Sequence, residues 1–179
     1  SMRLVYISIQ DILNWKLVQL DYCITLNDKD STSKILSIEK LISSKLDFED
    51  SSIPIQNKFY NLIMVARFRY LRGKYFHQKL NYLKSYENFR MVVKIIYSVI
   101  KRMNNISSML NYFTIKWEIN GLLINSYFET INALIKLGVS NDLKFYLESC
   151  ESFLELANLS PKLNKLSWYK ISNIYYLLD

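Results

Sequence analysis

The scarcity of turn-forming residues constrains this chain more than any other feature. Its 179 residues contain only three Gly and two Pro. Sandwiches, barrels and doubly wound sheets need many tight turns, in which these two residues are common, whereas a helical protein needs few of them. Half of the residues are apolar and 22% are charged, which excludes a disordered chain. The sequence therefore predicts an all-α fold with a substantial core.

Apolar residues recur at helical spacing in seven segments. The predicted helices cover, roughly, residues 9–25, 33–46, 56–80, 83–102, 107 or 108 to 137, 141–158 and 161 onward. The third helix carries two apolar stripes on different sides, so we expect it to have neighbours on both. Gly73 lies in one stripe, where the missing side chain would let another backbone approach. Gly121 lies on the seam of the fifth helix, where a kink or a close contact would fit.

Two of the predicted turns resemble each other. Residues 79–82 align with residues 136–139 at an offset of 57, which places Asn81 over Gly138. Asn and Gly are the residues that best tolerate a left-handed backbone. Apolar helix faces recur downstream of both turns at the same offset. The sequence therefore predicts antiparallel helix pairs, used at least twice and stacked as a right-handed superhelix or a solenoid-like bundle.

The helix pairs resemble a tetratricopeptide-type array. Residues 71–76, Leu-Arg-Gly-Lys-Tyr-Phe, resemble the Leu-Gly and Tyr positions in the first helix of that motif. Residues 86–89 resemble the Tyr-Glu-x-Ala of its second helix, with Phe89 in place of the small Ala, and Pro161 resembles the closing Pro. The resemblance implies a stacked array of helix pairs, although the unit here is longer than the motif's usual length.

Overlong, irregular repeats of this kind are similar to the non-catalytic helical region of separase. The stretch from Ala133 to Pro161 carries this similarity. The resemblance implies an interaction scaffold within a large cell-cycle protease, bound lengthwise by the inhibitory chaperone securin. The His and Cys motifs of the protease itself are not found in this sequence.

Positive charge is concentrated in the middle of the chain. The net charge is +7, yet residues 56–104 carry eleven Lys and Arg against a single acid, Glu87, so this segment has +10 and the remainder −3. One face of the third predicted helix collects the candidate partner-binding residues Lys58, Arg69, Arg72, Phe76 and Lys79. This concentration predicts a non-catalytic scaffold that binds a protein partner, in particular an acidic or phosphorylated peptide.

Two other interpretations of the cations stay open. They could contact a nucleic-acid backbone, although most aromatic residues follow the apolar stripes and so are not expected to stack on bases. They could also simply solvate exposed helix faces, but solvated faces usually mix both signs of charge. The nucleic-acid-associated domain is therefore the alternative to the protein-binding scaffold.

A calcium site is the one metal pattern in the sequence. Residues 28–39 have the spacing of an EF-hand loop, but Ser33 stands where that loop needs Gly, and Leu36 occupies a ligand position. A loop in which Thr32 or Ser33 caps the second helix explains these residues without a metal. No metal and no cofactor are therefore predicted.

Catalysis has equally little support. His77 is the only histidine, and we expect it to be packed and hydrogen-bonded, while Cys150 lies on an apolar helix face as a buried, inert thiol. The sequence has no paired His ligands, Cys-x-x-Cys, phosphate loop or nucleophile elbow. The chain is predicted not to be an enzyme, with an active site completed outside it as a third possibility.

The cysteine count and the two chain ends suggest where the protein resides and how much of it this chain represents. Two cysteines are too few for a disulfide scaffold and suggest a reducing compartment. No secretory signal and no apolar run of about 20 residues is found, so we expect an intracellular protein, cytoplasmic or nuclear, without a membrane partner. Ser1-Met2 resembles a cleaved tag, and the last helix is still in progress at Asp179. Residues 3–179 are thus predicted to be a single helical-repeat domain from a longer protein.

Overall fold

A computed structural model describes residues 8–46, 55–103, 112–157 and 159–178. Within these ranges the chain forms seven α-helices and no β-strand, so the all-α prediction is confirmed. The helices are α1 (Ile9–Thr25), α2 (Ser31–Lys45), α3 (Ile55–Gln78), α4 (Tyr82–Met103), α5 (Tyr112–Leu137), α6 (Ser140–Leu156) and α7 (Pro161–Leu178). The predicted helix ends agree to within two residues, except that the predicted start of the fifth helix lies outside the described residues.

Each helix packs against the next one along the chain, and α1 also contacts α3, which in turn contacts α5. No helix in the described ranges combines the length and the hydropathy that crossing a bilayer requires. Helix α3 therefore contacts the first and the fifth helices as well as its two neighbours along the chain.

The start of α1 follows the sequence pattern of a capping box. The Ser8 hydroxyl accepts a hydrogen bond from the Asp11 N–H, and the Asp11 carboxylate accepts one from the Ser8 N–H.

The start of α2 differs from the prediction. Its N-cap is Asp30, which makes no side-chain cap bond, and Ser33 already lies within the first turn, where its hydroxyl donates to the Asp30 carbonyl. The prediction that Thr32 or Ser33 caps this helix is therefore wrong.

The same turn ends α1, α3 and α5. In each turn one residue has a left-handed φ: Asn27 at 53°, Leu80 at 56° and Gly138 at 68°. The N–H of that residue donates to the carbonyl three residues earlier, and the next N–H donates to the carbonyl five residues earlier. This is the Schellman arrangement. Because Leu80 and not Asn81 is left-handed, the second and third turns align at an offset of 58, and the predicted offset of 57 is wrong.

The buried faces of α4 and α6 coincide at the corrected offset. At an offset of 58, five buried residues of α4 align in sequence with buried residues of α6. The aligned pairs are Ser85 and Leu143, Asn88 and Tyr146, Phe89 and Leu147, Val92 and Cys150, and Ile96 and Leu154. The expected recurrence of helix faces is thus present. At the predicted offset of 57, Tyr86 on Leu143, Phe89 on Tyr146 and Val93 on Cys150 are also buried in both members, but more buried positions coincide at 58.

Helix α3 is covered on two sides. Phe59 and Ala66 belong to a large apolar cluster with α4, α5, α6 and α7, whereas Met64, Phe68 and Leu71 belong to a second cluster with α1 and α2. Burial of both stripes confirms the expectation that this helix has neighbours on both faces.

Gly73 makes room for an aromatic ring. A Cβ built on it would lie 2.6 Å from Cε1 of Phe89, a fully buried residue of α4. The Ser85 hydroxyl donates to the Gly73 carbonyl at 3.0 Å, also in the buried region. The expected approach of another backbone is therefore wrong, since a side chain fills the space. At Gly121 a Cβ would meet no described atom within 4 Å, so the close contact expected there is not found.

Candidate functional site

Four of the five predicted partner-binding residues lie along α3 and Lys79 lies in the turn after it, but two of the five contact neighbouring helices. Arg72 forms an ion pair with Glu39 of α2, and its guanidinium carbon lies 5.6 Å from the centre of the Phe76 ring. Arg69 donates from Nη1 to Oδ1 of Asn88 in α4 at 3.4 Å. These two arginines therefore hold α3 against its neighbours, in addition to any external role.

The environment of Arg69 is consistent with an internal role. Burial lowers the pKa of Arg69, the nearby charge of Arg72 lowers the pKa further, and Glu39 opposes both effects. Lys58 and Phe76 are half-buried, whereas Lys79 is exposed, with its ammonium 5.8 Å from the centre of the Tyr75 ring. Four of the five predicted residues are thus partly buried, and Arg69 and Arg72 contact neighbouring helices.

Two further cations of α3 face α1. Lys74 contacts Asp21 at 3.2 Å, and Arg67 donates to Oδ1 of Asn14 at 3.1 Å. Together with Glu39, these groups come from the first two helices, far from the cationic segment in sequence. A charge count over residues 56–104 does not include these partners, because only the fold brings them next to α3.

In residues 56–104, Lys79 is exposed in the turn after α3, and the other exposed cations lie on α4. Its exposed cations are Lys84, Arg90, Lys94, Lys101 and Arg102. Arg90, Lys94, Tyr97 and Lys101 are spaced by three or four residues, which places them along one side of the helix. The sequence predicts a basic helix pair, and in the structure all of its exposed cations except Lys79 lie on the second helix of that pair.

This side of α4 forms one wall of a groove, which we call the α4–α6 groove. Its volume is about 680 Å³, and the buried Tyr127 of α5 lies at its base. The lining residues from the two walls are Arg90, Val93, Lys94 and Tyr97 of α4 and Phe145, Tyr146, Glu148, Ser149, Ser152, Phe153 and Leu156 of α6.

Large apolar side chains stand open to solvent along the groove. The exposed fraction is 62% for Tyr97, 62% for Phe145 and 88% for Leu156. From Phe145 to Leu156 the wall of α6 is about 16 Å long at the rise of an α-helix. Exposed apolar side chains grouped in a concave surface are typical of binding sites for other molecules.

The base of the groove is held by aromatic and polar contacts. The Tyr86 hydroxyl donates to Oδ2 of Asp142 at 2.9 Å and so joins α4 to the start of α6. The Tyr146 ring packs edge-on against both Tyr86 and Tyr127, with ring centres 6.3 and 6.4 Å apart. Burial raises the pKa of Tyr127 from its ordinary value of 10.0 to about 12, so this hydroxyl stays neutral even at moderately alkaline pH. These contacts give the groove a fixed, uncharged base.

The walls differ in charge. The wall from α4 carries Arg90 and Lys94, and the Arg90 guanidinium lies 5.9 Å from the centre of the Tyr86 ring. The wall from α6 carries Glu148, whose carboxylate lies 3.8 Å from the ammonium of Lys144 on the same helix. Because both members of that pair are well exposed, it contributes little to stability. The groove therefore presents two cations on one wall and one partly compensated acid on the other.

Comparison with protein-family models, with curated proteins and with solved structures finds no match for this chain. The resemblances to tetratricopeptide repeats and to the helical region of separase therefore stay predictions.

Of the residues considered as candidates for chemistry, Cys150 is buried and His77 is partly buried. Cys150 is buried, and burial raises the pKa of its thiol to about 12, as expected for an unreactive cysteine. The His77 ring packs edge-on against Tyr82, but its buried Nδ1 has no hydrogen-bond partner among the described residues, so the expected hydrogen bond is not found at that atom. Across the described part of the chain, no group of three or more His, Cys, Asp or Glu is placed to hold a metal ion.

Proposed function

We propose that this chain is a non-catalytic helical-repeat scaffold whose α4–α6 groove binds an acidic, amphipathic segment of a protein partner. The observation that supports this proposal is the placement of exposed Tyr97, Phe145 and Leu156 beside the cations Arg90 and Lys94. The apolar side chains supply anchor points, and the cations select the charge of the segment.

The scaffold would consist of three helix pairs, α1–α2, α3–α4 and α5–α6, stacked in the manner of tetratricopeptide repeats. Each pair is joined by the same left-handed turn, and the first helices of successive pairs contact each other. In such arrays each pair packs only on its neighbours, and the grooves between pairs are surfaces for extended or helical peptides. The α4–α6 groove is one of these inter-pair grooves.

The dimensions of the groove fit a short segment. A wall of about 16 Å corresponds to three turns of an α-helix or to about five residues of extended chain. One face of the segment would place apolar side chains over Tyr127, while carboxylates on its flank would reach Arg90 and Lys94. Charge-assisted hydrogen bonds of this kind are roughly twice as strong as neutral ones.

The resemblance to separase extends the proposal to the whole protein. In that case the partner would be a securin-like inhibitory segment, and the scaffold would belong to an intracellular cell-cycle protease. The two cysteines, both free and buried, are consistent with a reducing compartment.

A peptide selection tests the groove directly. A displayed library of peptides of about 12 residues, long enough for three helical turns, is selected against the chain. We expect enrichment of peptides with two or three large apolar residues and several Asp or Glu. Their binding should be lost with Arg90→Glu/Lys94→Glu and weakened with Leu156→Ser. The control Lys40→Glu/Lys45→Glu changes two exposed cations of α2 and should bind normally.

Two results would contradict the proposal. One is a set of selected peptides whose affinity is unchanged by substitutions in the groove. The other is binding of unrelated oligonucleotides that requires Arg90 and Lys94 and weakens by orders of magnitude as salt is raised, which would establish the nucleic-acid alternative.

A further inference from the structure

The first helix carries a second apolar stripe that nothing in the described chain covers. Leu13, Leu17 and Leu20 of α1 point into the core. The opposite side of the helix exposes Ile12, Trp15, Val18 and Tyr22, and Leu26, which follows as the C-cap, is exposed as well. Trp15 at the centre of this stripe is 64% exposed. Single exposed apolar residues are ordinary, but four along one side of a helix, continued by a fifth at its C-cap, form a larger apolar patch.

The last helix has the same property. Ile171 and Ile174 of α7 are buried, whereas its outer side exposes Leu166, Tyr169, Tyr176 and Leu177. Tyr176 is 84% exposed. The two stripes lie on the outermost helices of the packing order, at opposite ends of the described chain.

The two ends differ in charge. Residues 8–30 contain four Asp and two Lys and have a net charge of −2, whereas residues 159–178 contain three Lys and no acid and have +3. Asp11 lies one turn from Trp15, and Lys165 lies one turn from Tyr169. Asp21, which also borders the stripe of α1, forms an ion pair with Lys74 at 3.2 Å, in which its side chain stays 54% exposed.

We propose that copies of this chain associate end to end, with the exposed stripe of α7 in one copy packing against the exposed stripe of α1 in the next. Contact between the two apolar stripes removes both from water, which favours association. The charges that flank the two stripes are of opposite sign. Pairing two like ends would instead bring −2 against −2 or +3 against +3. The interface is therefore heterologous, and it can build open chains or closed rings of copies. It does not involve the α4–α6 groove.

The association is tested with the whole chain by sedimentation velocity over a series of protein concentrations. The wild-type protein should show an average mass that rises with concentration. Trp15→Glu blocks only the α1 end and Tyr176→Glu only the α7 end. Each substitution should raise the dissociation constant by about 30-fold or more, as for a central residue of an interface. Both residues are exposed, and circular dichroism checks that both variants remain folded.

Mixing the two variants gives the decisive result. Each variant keeps one intact end, and the intact ends are complementary, so the mixture should form one-to-one dimers that grow no further. Tyr97→Glu, which alters the groove, should associate like the wild type. The proposal is overturned if the wild-type chain stays monomeric at every concentration, if Tyr176→Glu dimerises alone through two α1 ends, or if the mixture stays monomeric.

Discussion

Replacing Gly73 with Ala probes the tightest contact between α3 and α4. The added Cβ would lie 2.6 to 2.8 Å from three atoms of the Phe89 ring. Carbon atoms in optimal contact are about 3.5 to 4.0 Å apart, so the overlap is about 1 Å. Phe89 is fully buried, and the Ser85 hydroxyl donates a hydrogen bond to the Gly73 carbonyl. Neither the Phe89 ring nor this turn of α3 can therefore easily move aside.

The magnitude follows from two opposing effects. Overfilling a packed core costs about 1 to 3 kcal/mol, and the enclosed ring places this site in the upper half of that range. Ala in a helix interior is favoured over Gly by about 1 kcal/mol. We therefore expect Gly73→Ala to lower the free energy of unfolding by about 1 to 2 kcal/mol. Gly121→Ala gains the same helix propensity, and its Cβ overlaps no neighbouring atom. It should therefore raise the free energy of unfolding by up to about 1 kcal/mol.

Urea unfolding followed by circular dichroism measures both variants under identical conditions. Phe89→Leu provides a second check, because the smaller side chain should cost less in the Gly73→Ala background than in the wild type. The coupling between the two sites should be about 0.5 to 3 kcal/mol. If Gly73→Ala and Gly121→Ala stabilise the chain to the same extent, the described contact between Gly73 and Phe89 is incorrect.

Two further predictions concern the turn after α3 and alkaline pH. Leu80→Gly should raise the free energy of unfolding by about 1 kcal/mol, because Leu80 is largely exposed and a left-handed backbone strains residues with a Cβ; an unchanged urea midpoint would refute this. Burial raises the pKa of Tyr127 and of Cys150 to about 12, from ordinary values of 10.0 and 9.0. Their neutral forms therefore stabilise the fold below about pH 9, and this contribution is lost as pH rises toward 12. Unfolding measured between pH 8 and pH 12 should show a shallower decline for Tyr127→Phe than for the wild type; equal declines would contradict the assignment.

Helix positions were predictable because each depends on local spacing of apolar residues. The two stripes of α3 even predicted its position between two clusters. The turn at Leu80 was not predictable, since Leu is a poor left-handed residue and Asn81 beside it is a better one. The Schellman bonds that the flanking helices permit decide the register there.

The binding surface was harder to predict than the fold. The concentration of cations in residues 56–104 was visible, but Glu39 and Asp21, which contact Arg72 and Lys74, lie 33 and 53 residues away in sequence. Contacts over such distances depend on which helices become neighbours. The α4–α6 groove has the same origin, because its two walls meet only after α5 has been placed beneath them.

The sharing of α3 between two apolar clusters has a practical consequence for dividing the chain. A piece starting at α3 would expose Met64 and Phe68, which α1 and α2 normally cover. A piece ending after α3 would leave Phe59 and Ala66 without the helices that enclose them. Neither half keeps an intact interior, so shortened versions cut on either side of this helix should aggregate when expressed.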